Sequence, residues 1–391
     1  MEKIRLKRNE DKRIREGHLW VFSNEIDELI EAKGEGEVVE VHDSRGGFLA
    51  KGYYNRHSLI AIRVLTYEKD EKIDGDFFFK RIEQALKYRH RIYPQLSSYR
   101  VVYSEGDFLP GLIIDRYEKN LVLQILTLGM EKFEAEIIKA CEKLFLPARI
   151  VLRNDTSFRE LESLVQGVKI VKGDIESPAL IEEFGLKFFV DLKEGQKTGF
   201  FFDQKENRLM GAIYAKGRKV LDCFCYTGAW GIASTKNGAK GVLGIDSSEK
   251  SLELAQKNAK LNEVEKLCTF VKGDSFDVLR GLVQKNEKFD MVILDPPAFV
   301  KSKSKLVEGM KGYKEINLQA LKLLDKGGIL ISCSCSHNFS KDLFMEMLKS
   351  AAKDAHKTLR LIEFRTQAKD HPILLSMPET EYLKCAILEV V

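Results

Sequence analysis

From residue 218 onward the chain alternates short, almost wholly apolar runs with stretches of helical periodicity, and few folds accept that alternation. The apolar runs are "RKVLDCF", "GVLGID", "CTFVKGD", "FDMVILD" and "GGILISCS". Between them lie "AWGIASTKNG", "SEKSLELAQKNAKLN" and "YKEINLQALKLLDKG". Strands apolar on both faces and separated by helices predict a parallel sheet covered on both sides, a Rossmann-like, doubly wound α/β domain. Two further runs, "TLRLIEFRTQ" and "EYLKCAILEVV", read as closing strands, with antiparallel pairing open to them. In such a sheet ligands bind beyond the carboxyl ends of the strands. The residues there are "CYTGAWG" (225–231), Asp246, Asp274, "DPPAF" (295–299) and Cys335.

The remainder of the 391 residues divides in two. Residues 1–70 carry short apolar runs, "GEVVEVHD", "GFLAKGYY" and "LIAIRVLTY", and predict a small β-rich domain. Residues 71–185 open on a helical pattern (Phe78, Ile82, Ala85, Leu86) and continue in strands and a helix, an α+β central domain. The α/β domain then fills 186–391. With 44% hydrophobic and 31% charged residues the chain suits a soluble globular protein with a sizeable core. The start, "MEKIRLKRNE", is too polar for a signal segment, and no apolar run approaches the roughly 18 residues that span a bilayer. No membrane partner is expected, and the cytoplasm is the expected compartment. Seven scattered cysteines, an odd number, do not form a disulfide framework.

A net charge of +4 does not by itself announce nucleic acid, but its distribution is uneven. Lys3, Arg5, Lys7, Arg8, Lys12, Arg13 and Arg15 crowd the first fifteen residues. In 80–100 Lys80, Arg81, Lys87, Arg89, Arg91 and Arg100 interleave with Tyr88, Tyr93 and Tyr99. Basic groups neutralise phosphates and aromatics stack on bases. A solvated helix face with core tyrosines is the alternative.

The first strand-to-helix turn holds Gly228 and Gly231, and Asp246 ends the next strand about 18 residues later, where an acid takes the ribose hydroxyls of an adenosine. Tyr226 occupies the place of the first glycine of a dinucleotide-binding turn. Asp222, just upstream, would repel a diphosphate. An acid-lined turn suits a ligand with positive charge beside its adenosine, as in S-adenosyl-L-methionine. A purely structural turn would leave Asp222, Asp246 and Asp274, all at strand tips, unexplained. Asp274 is placed to receive the adenine amino group. Pro296 and Pro297, directly after a strand, stiffen the chain and remove two donors, so that Asp295 and nearby carbonyls face a substrate.

Taken together, "LDCFCYTGAWGI", "LDPPAF" and "ISCSCS", in this order and spacing, resemble class I methyltransferases of large-subunit ribosomal RNA, and most closely the large-subunit rRNA 5-methylcytosine methyltransferase I family. The likeness runs nearly the whole length. "REGHLWVFSNEI" resembles that family's N-terminal PUA domain, an RNA-binding module, and "SEGDFLPGLIIDRY" its central domain. "GQKTGFFFDQKENR" resembles the segment before the cofactor turn, and "QAKDHP" and "EYLK" its C-terminal end. The resemblance implies a methyltransferase that makes 5-methylcytidine in 23S rRNA, with large-subunit rRNA as partner; a homodimer is left open. It implies Cys335 as nucleophile and Asp295 as the acid of the Asp-Pro-Pro motif. Cofactor positions are implied at Lys197, Thr198, Gly199, Gln204, Asp222, Tyr226, Thr227, Gly228, Asp246, Ser247, Asp274 and Asp295. Pro296, Pro297, Phe299, Lys301 and Lys303 are expected to meet the substrate, the two lysines in the basic loop "KSKSK", whose alternative is a solvated loop. Many RNA 5-methylcytosine enzymes carry a second cysteine directly after the motif's proline; here Ala298 follows Pro297.

The thiols separate by place. A disulfide between Cys333 and Cys335 is opposed by the wide spacing of i and i+2 on a strand. A metal site built from Cys223, Cys225, Cys333, Cys335 and His337 would have to bridge two sheet spacings, roughly 9–10 Å, whereas zinc holds sulfur at about 2.3 Å; no metal is expected. Cys141, Cys223, Cys268, Cys333 and Cys385 are expected to pack as small hydrophobes. Cys335, at the strand tip, is the place for a nucleophile. Two rival readings stand: a base-nitrogen methyltransferase (guanine N7 among them), and a non-catalytic RNA-binding or ribosome-assembly protein.

Overall fold

Leu221, Cys223, Val292, Leu294 and Leu330, all from the apolar runs, are fully buried, as strands covered on both faces require. The computed structural model describes residues 1–30, 35–174 and 178–391. Two compact units emerge. One comprises Met1–Ile181, Val190–Phe202 and Lys369–Thr380; the other comprises Glu182–Phe189, Asp203–Ala368 and Glu381–Val391.

The second unit is built on a seven-stranded sheet. Its strands are β1 (Lys219–Cys223), β2 (Gly241–Asp246), β3 (Cys268–Lys272), β4 (Phe289–Leu294), β5 (Leu324–Ser334), β6 (Leu359–Arg365) and β7 (Lys384–Val390). They lie in the order β3-β2-β1-β4-β5-β7-β6. The first five run parallel, and β7 is antiparallel to both β5 and β6. The strand order turns back between β1 and β4, the place where a doubly wound sheet opens a crevice. The connecting helices are α1 (Ala229–Lys236), α2 (Glu249–Leu261), α3 (Ser275–Gln284), α4 (Leu306–Leu323) and α5 (Lys341–Asp354). From α4 and α5, Tyr313, Ile316, Ala320, Phe344 and Met347 complete the core on one face. The doubly wound α/β expectation therefore holds, with the last strand of the chain inserted inside the sheet.

Among the described residues, the first unit is built on a six-stranded and a five-stranded sheet. Six short strands between Glu2 and Thr66 form one around Ile4, Val21, Val39, Val41 and Ile62. Five strands between Ser98 and Lys172 form the other, packed on the helices Gly75–Ile92 and Glu134–Phe145. Buried polar bonds tie the residues before 70 to those after. The Tyr53 hydroxyl donates to the Pro110 carbonyl at 2.8 Å, and Asn55, Ser58 and Arg63 donate to the buried Glu162 carboxylate at 2.7, 2.9 and 2.8 Å.

The basic and aromatic cluster of 80–100 divides between surface and core. Arg89 is fully buried, paired with Asp107 and donating to the carbonyls of Arg100 and Asp370 at 2.8 and 2.7 Å. Arg100 meets Asp115 through two bonds of 2.8 and 2.7 Å. Tyr93 and Tyr99 are buried as well. These four are core groups: Tyr93 and Tyr99 match the alternative of core tyrosines, while Arg89 and Arg100 are neither phosphate contacts nor part of a solvated face; Lys80, Lys87 and Arg91 are exposed. Guanidinium groups fit buried carboxylates because their forked donors satisfy both oxygens. Among the described residues no helix is long and apolar enough to cross a membrane.

Candidate active site

Strand β1 delivers Asp222 to the crevice end, fully buried. The Gly231 amide donates to its Oδ2 at 2.9 Å, while its Oδ1 has no hydrogen-bond partner among the described residues. Burial pushes the carboxyl up to about 8; the Gly231 amide opposes this, and the neighbouring Asp295 and Asp246 add to it. Beyond Asp222 the backbone takes the left-handed region at alternate residues, Phe224 (φ 62°), Tyr226 (φ 48°) and Gly228 (φ 80°). Two non-glycine residues held there carry strain, which concentrates at ligand-binding turns. Asp246 steadies this turn: its Oδ2 accepts from the Tyr226 amide and its Oδ1 from the Ser248 amide, each at 2.9 Å.

Gly228 admits no side chain. A Cβ there would lie 2.9 Å from the Phe270 ring and 3.1 Å from Ala255, at a φ that already disfavours one. We expect Gly228→Ala to lose about 2 kcal/mol, a melting point roughly 4–8 °C lower by calorimetry, and an unchanged melting point would show that the turn relaxes freely.

The turn fits S-adenosylmethionine. A buried carboxylate oxygen of Asp222 and the buried Thr227 hydroxyl, both without a partner among the described residues, can receive a donor or a positive charge. Asp222 could face the cationic part and Asp246 the ribose. The other expected positions differ among themselves. Asp274 is exposed and caps α3, accepting from the Phe276 and Asp277 amides at 2.8 and 3.3 Å, which explains an aspartate there without a ligand. Ser247 is exposed, and the hydroxyl that caps α2 is that of Ser248. Lys197, Thr198 and Gly199 belong to the first unit. There Thr198 donates to Asp115 at 2.6 Å and accepts from Tyr117 at 3.2 Å, and Lys197 Nζ lies 4.7 Å from the Phe201 ring centre.

After β4 comes the Asp-Pro-Pro turn. Gln204 Nε2 donates to Asp295 Oδ1 at 2.8 Å and Trp230 Nε1 to Oδ2 at 3.0 Å. Gln204, expected at the cofactor, is thus a holder of Asp295. Burial raises the Asp295 pKa, against the pull of the Trp230 bond. Phe299 is half-buried in an aromatic group, its ring 4.7 Å from Tyr313, 5.6 Å from Phe276 and 6.2 Å from Phe224. The Tyr313 hydroxyl and Ser336 Oγ, 2.9 Å apart, receive the amides of Phe299 and Val300 at 3.4 and 3.1 Å, fixing the loop to the end of β5. Lys301 and Lys303 are exposed beyond it.

Cys335 follows directly on β5. Six of the seven cysteines are buried and this one is half-buried, with its Sγ 3.9 Å from the Pro296 carbonyl. Strand β4 separates β5 from β1, so the Cys223 and Cys333 thiols stand on non-adjacent strands. Burial drives both thiols well above their usual value. Cys333 faces Cys385 across the β5–β7 ladder, and Ser334 faces Lys384. Lys384 is buried; its Nζ donates to the Ser336 and Tyr382 carbonyls at 2.7 Å each. Burial lowers its pKa to about 8, opposed by the Cys335 thiol and Glu381. Sequence reading missed Trp230, Tyr313 and Lys384, because helix packing brings the first two to Asp295 and Ser336 and strand pairing sets the third beside Ser334.

A PUA-like domain model matches residues 4–67. A model of S-adenosylmethionine-dependent methyltransferases matches residues 152–373, more than half of the chain. The protein is thus an S-adenosylmethionine-dependent methyltransferase, and S-adenosylmethionine is its cofactor. It is 41% identical to "Ribosomal RNA large subunit methyltransferase I" of Tolumonas auensis over 393 aligned positions, covering 99% of each chain. With the protein of that name from Serratia proteamaculans it shares 40% identity over 97% of both chains. The chain belongs to the ribosomal RNA large subunit methyltransferase I family. Its fold is also that of a solved methyltransferase complexed with SAH, at TM-score 0.87, 21% identity and full coverage of both chains.

Proposed function

We propose that this protein methylates C5 of cytidine in large-subunit ribosomal RNA, with Cys335 as nucleophile. The observation that carries the reading is the single half-buried thiol at the tip of β5, against the Pro296 carbonyl of the Asp-Pro-Pro turn. The names of the curated relatives support the rRNA substrate, and the PUA-like domain supports RNA binding.

Cytosine C5 is a poor carbon nucleophile. Addition of the Cys335 thiolate to C6 turns the ring into an enamine, with the electron pair delivered to C5. S-adenosylmethionine, when bound, supplies an electrophilic methyl group. Asp295 keeps acceptor capacity beyond its bonds to Gln204 and Trp230, and its raised pKa lets it hold or share a proton at N3 as charge enters the ring. Loss of the C5 proton then restores the ring and expels Cys335. Asp222, Asp246 and the Phe224–Gly228 turn hold the cofactor, and Lys301 and Lys303 meet phosphates. The target base must leave its stack to reach this pocket. The intervening Ala298 counts against a base-nitrogen enzyme that stacks its base on an aromatic directly after the prolines.

The test is nucleoside mass spectrometry of large-subunit rRNA after incubation with methyl-labelled cofactor. Labelled 5-methylcytidine is expected. Label on a base nitrogen would replace the reading with its rival, and RNA binding without any label would favour a non-catalytic role.

A further inference from the structure

We infer that Lys384 is the positioning residue that keeps Cys335 ionised, its buried ammonium forming an ion pair with the thiolate at the joined ends of β5 and β7. The inference rests on the reading of Cys335 as the nucleophile.

Geometry carries it. Antiparallel pairing sets Lys384 opposite Ser334, one residue before Cys335. Two of its three N–H donors are fixed on the Ser336 and Tyr382 carbonyls at 2.7 Å, so the head group is anchored on the residue just after the nucleophile. A lysine is almost never this buried unless it is paired or used, and Lys384 is only 5% exposed. Neither carbonyl carries a full negative charge, whereas a thiolate does. The charges that bear on Lys384 are the Cys335 sulfur and Glu381. The Tyr313 hydroxyl of α4 also feels Cys335. Its burial keeps that phenol protonated, its pKa pushed up to about 12, so it adds no competing negative charge.

The proton balance is simple. A neutral Lys384 amine takes the proton from the Cys335 thiol, giving ammonium and thiolate, and nothing else is consumed. When the sulfur adds to a base the ammonium remains, and it receives the thiolate again when the adduct breaks. Depressed lysine basicity from burial keeps the neutral amine accessible near neutral pH.

The test is the pH profile of iodoacetamide alkylation at Cys335, read by peptide mass spectrometry on the whole folded protein. The other six cysteines are buried and serve as internal controls. In the wild type the midpoint is expected below the free-thiol value of about 8.5. Lys384→Gln keeps amide donors for the two carbonyls but removes the charge. It is expected to raise the midpoint by about one unit and slow alkylation at pH 7 roughly tenfold. Lys384→Arg should restore most of the reactivity. A wild-type midpoint at or above about 8.5 overturns the proposal without any variant. So does a folded Lys384→Gln protein with an unshifted profile. Alkylation needs neither cofactor nor RNA. A methyl found on a base nitrogen would therefore remove the cytosine reading, while the profile still reported whether Lys384 ionises the thiol.

Discussion

Cys335→Ala is expected to reduce methyl transfer to RNA by at least about 10³-fold while leaving S-adenosylmethionine affinity within roughly twofold. The asymmetry follows from placement. Cys335 lies after β5 with its sulfur against the Pro296 carbonyl, whereas the unpartnered acid of the cofactor turn stands on β1. Alanine removes one partly exposed sulfur and leaves the Tyr313–Ser336 bond and the loop amides in place. Cys333→Ala supplies the contrast: it trims a buried thiol that packs toward Cys385, so it should cost stability and spare the chemistry. RNA carrying 5-fluorocytidine at the target should trap the wild type as a covalent complex, since the fluorine cannot leave as a proton does, and Cys335→Ala should form none. Single-turnover assays and denaturing gels read both effects. Undiminished transfer by the alanine variant would remove the thiol from the mechanism.

Asp222→Asn should separate stability from binding. The folded-state pKa of Asp222 stands near 8 against an ordinary 3.8. A carboxyl whose pKa is raised on folding holds its proton more tightly in the native chain. Its contribution is therefore most favourable below pH 3.8 and declines as pH rises from about 4 to about 8. Asparagine is neutral throughout and can still accept from the Gly231 amide. The variant should therefore be more stable than the wild type at pH 8, by roughly 1–3 kcal/mol or about 2–8 °C in melting point, and the gain should shrink by pH 5. Cofactor affinity at pH 8 should move the other way, falling by about ten- to a hundredfold, because asparagine cannot ionise opposite the cationic ligand as the aspartate can. Calorimetric melting at the two pH values and titration with S-adenosylmethionine check both halves. A variant less stable at pH 8, or one that binds the cofactor as well as wild type, would contradict this account of Asp222.

Much of this arrangement was legible in the chain. All seven strands of the second sheet appear as apolar runs, and the tip residues Asp222, Asp246, Asp295 and Cys335 follow from the rule that ligands lie beyond the strand ends. What periodicity does not encode is partnership over distance. Gln204 and Asp295 are 91 residues apart, and Ser336 and Lys384 are 48 apart, so neither bond leaves a local trace. Composition misled in the first unit for a related reason. Arg89 and Arg100 look like phosphate ligands until Asp107 and Asp115, brought in by neighbouring strands and turns, claim them. Asp274 shows the opposite hazard: an acid at a strand tip is also what a helix start requires.

The place of β7 bears on how the protein is made. Strand β6 leaves the ribosome before β7, yet it pairs with β7 and not with β5. Until Lys384–Val390 emerges, the nascent chain holds β5 with one edge open and β6 with no partner in the sheet. The waiting edge includes Ile329, Leu330, Ile331 and Cys333, all buried once β7 arrives. Vectorial synthesis thus leaves an apolar template for intermolecular pairing exposed until residues 384–390 are available. A premature stop between the end of β5 and residue 384 should yield a product fit for aggregation or proteolysis rather than a weakened enzyme.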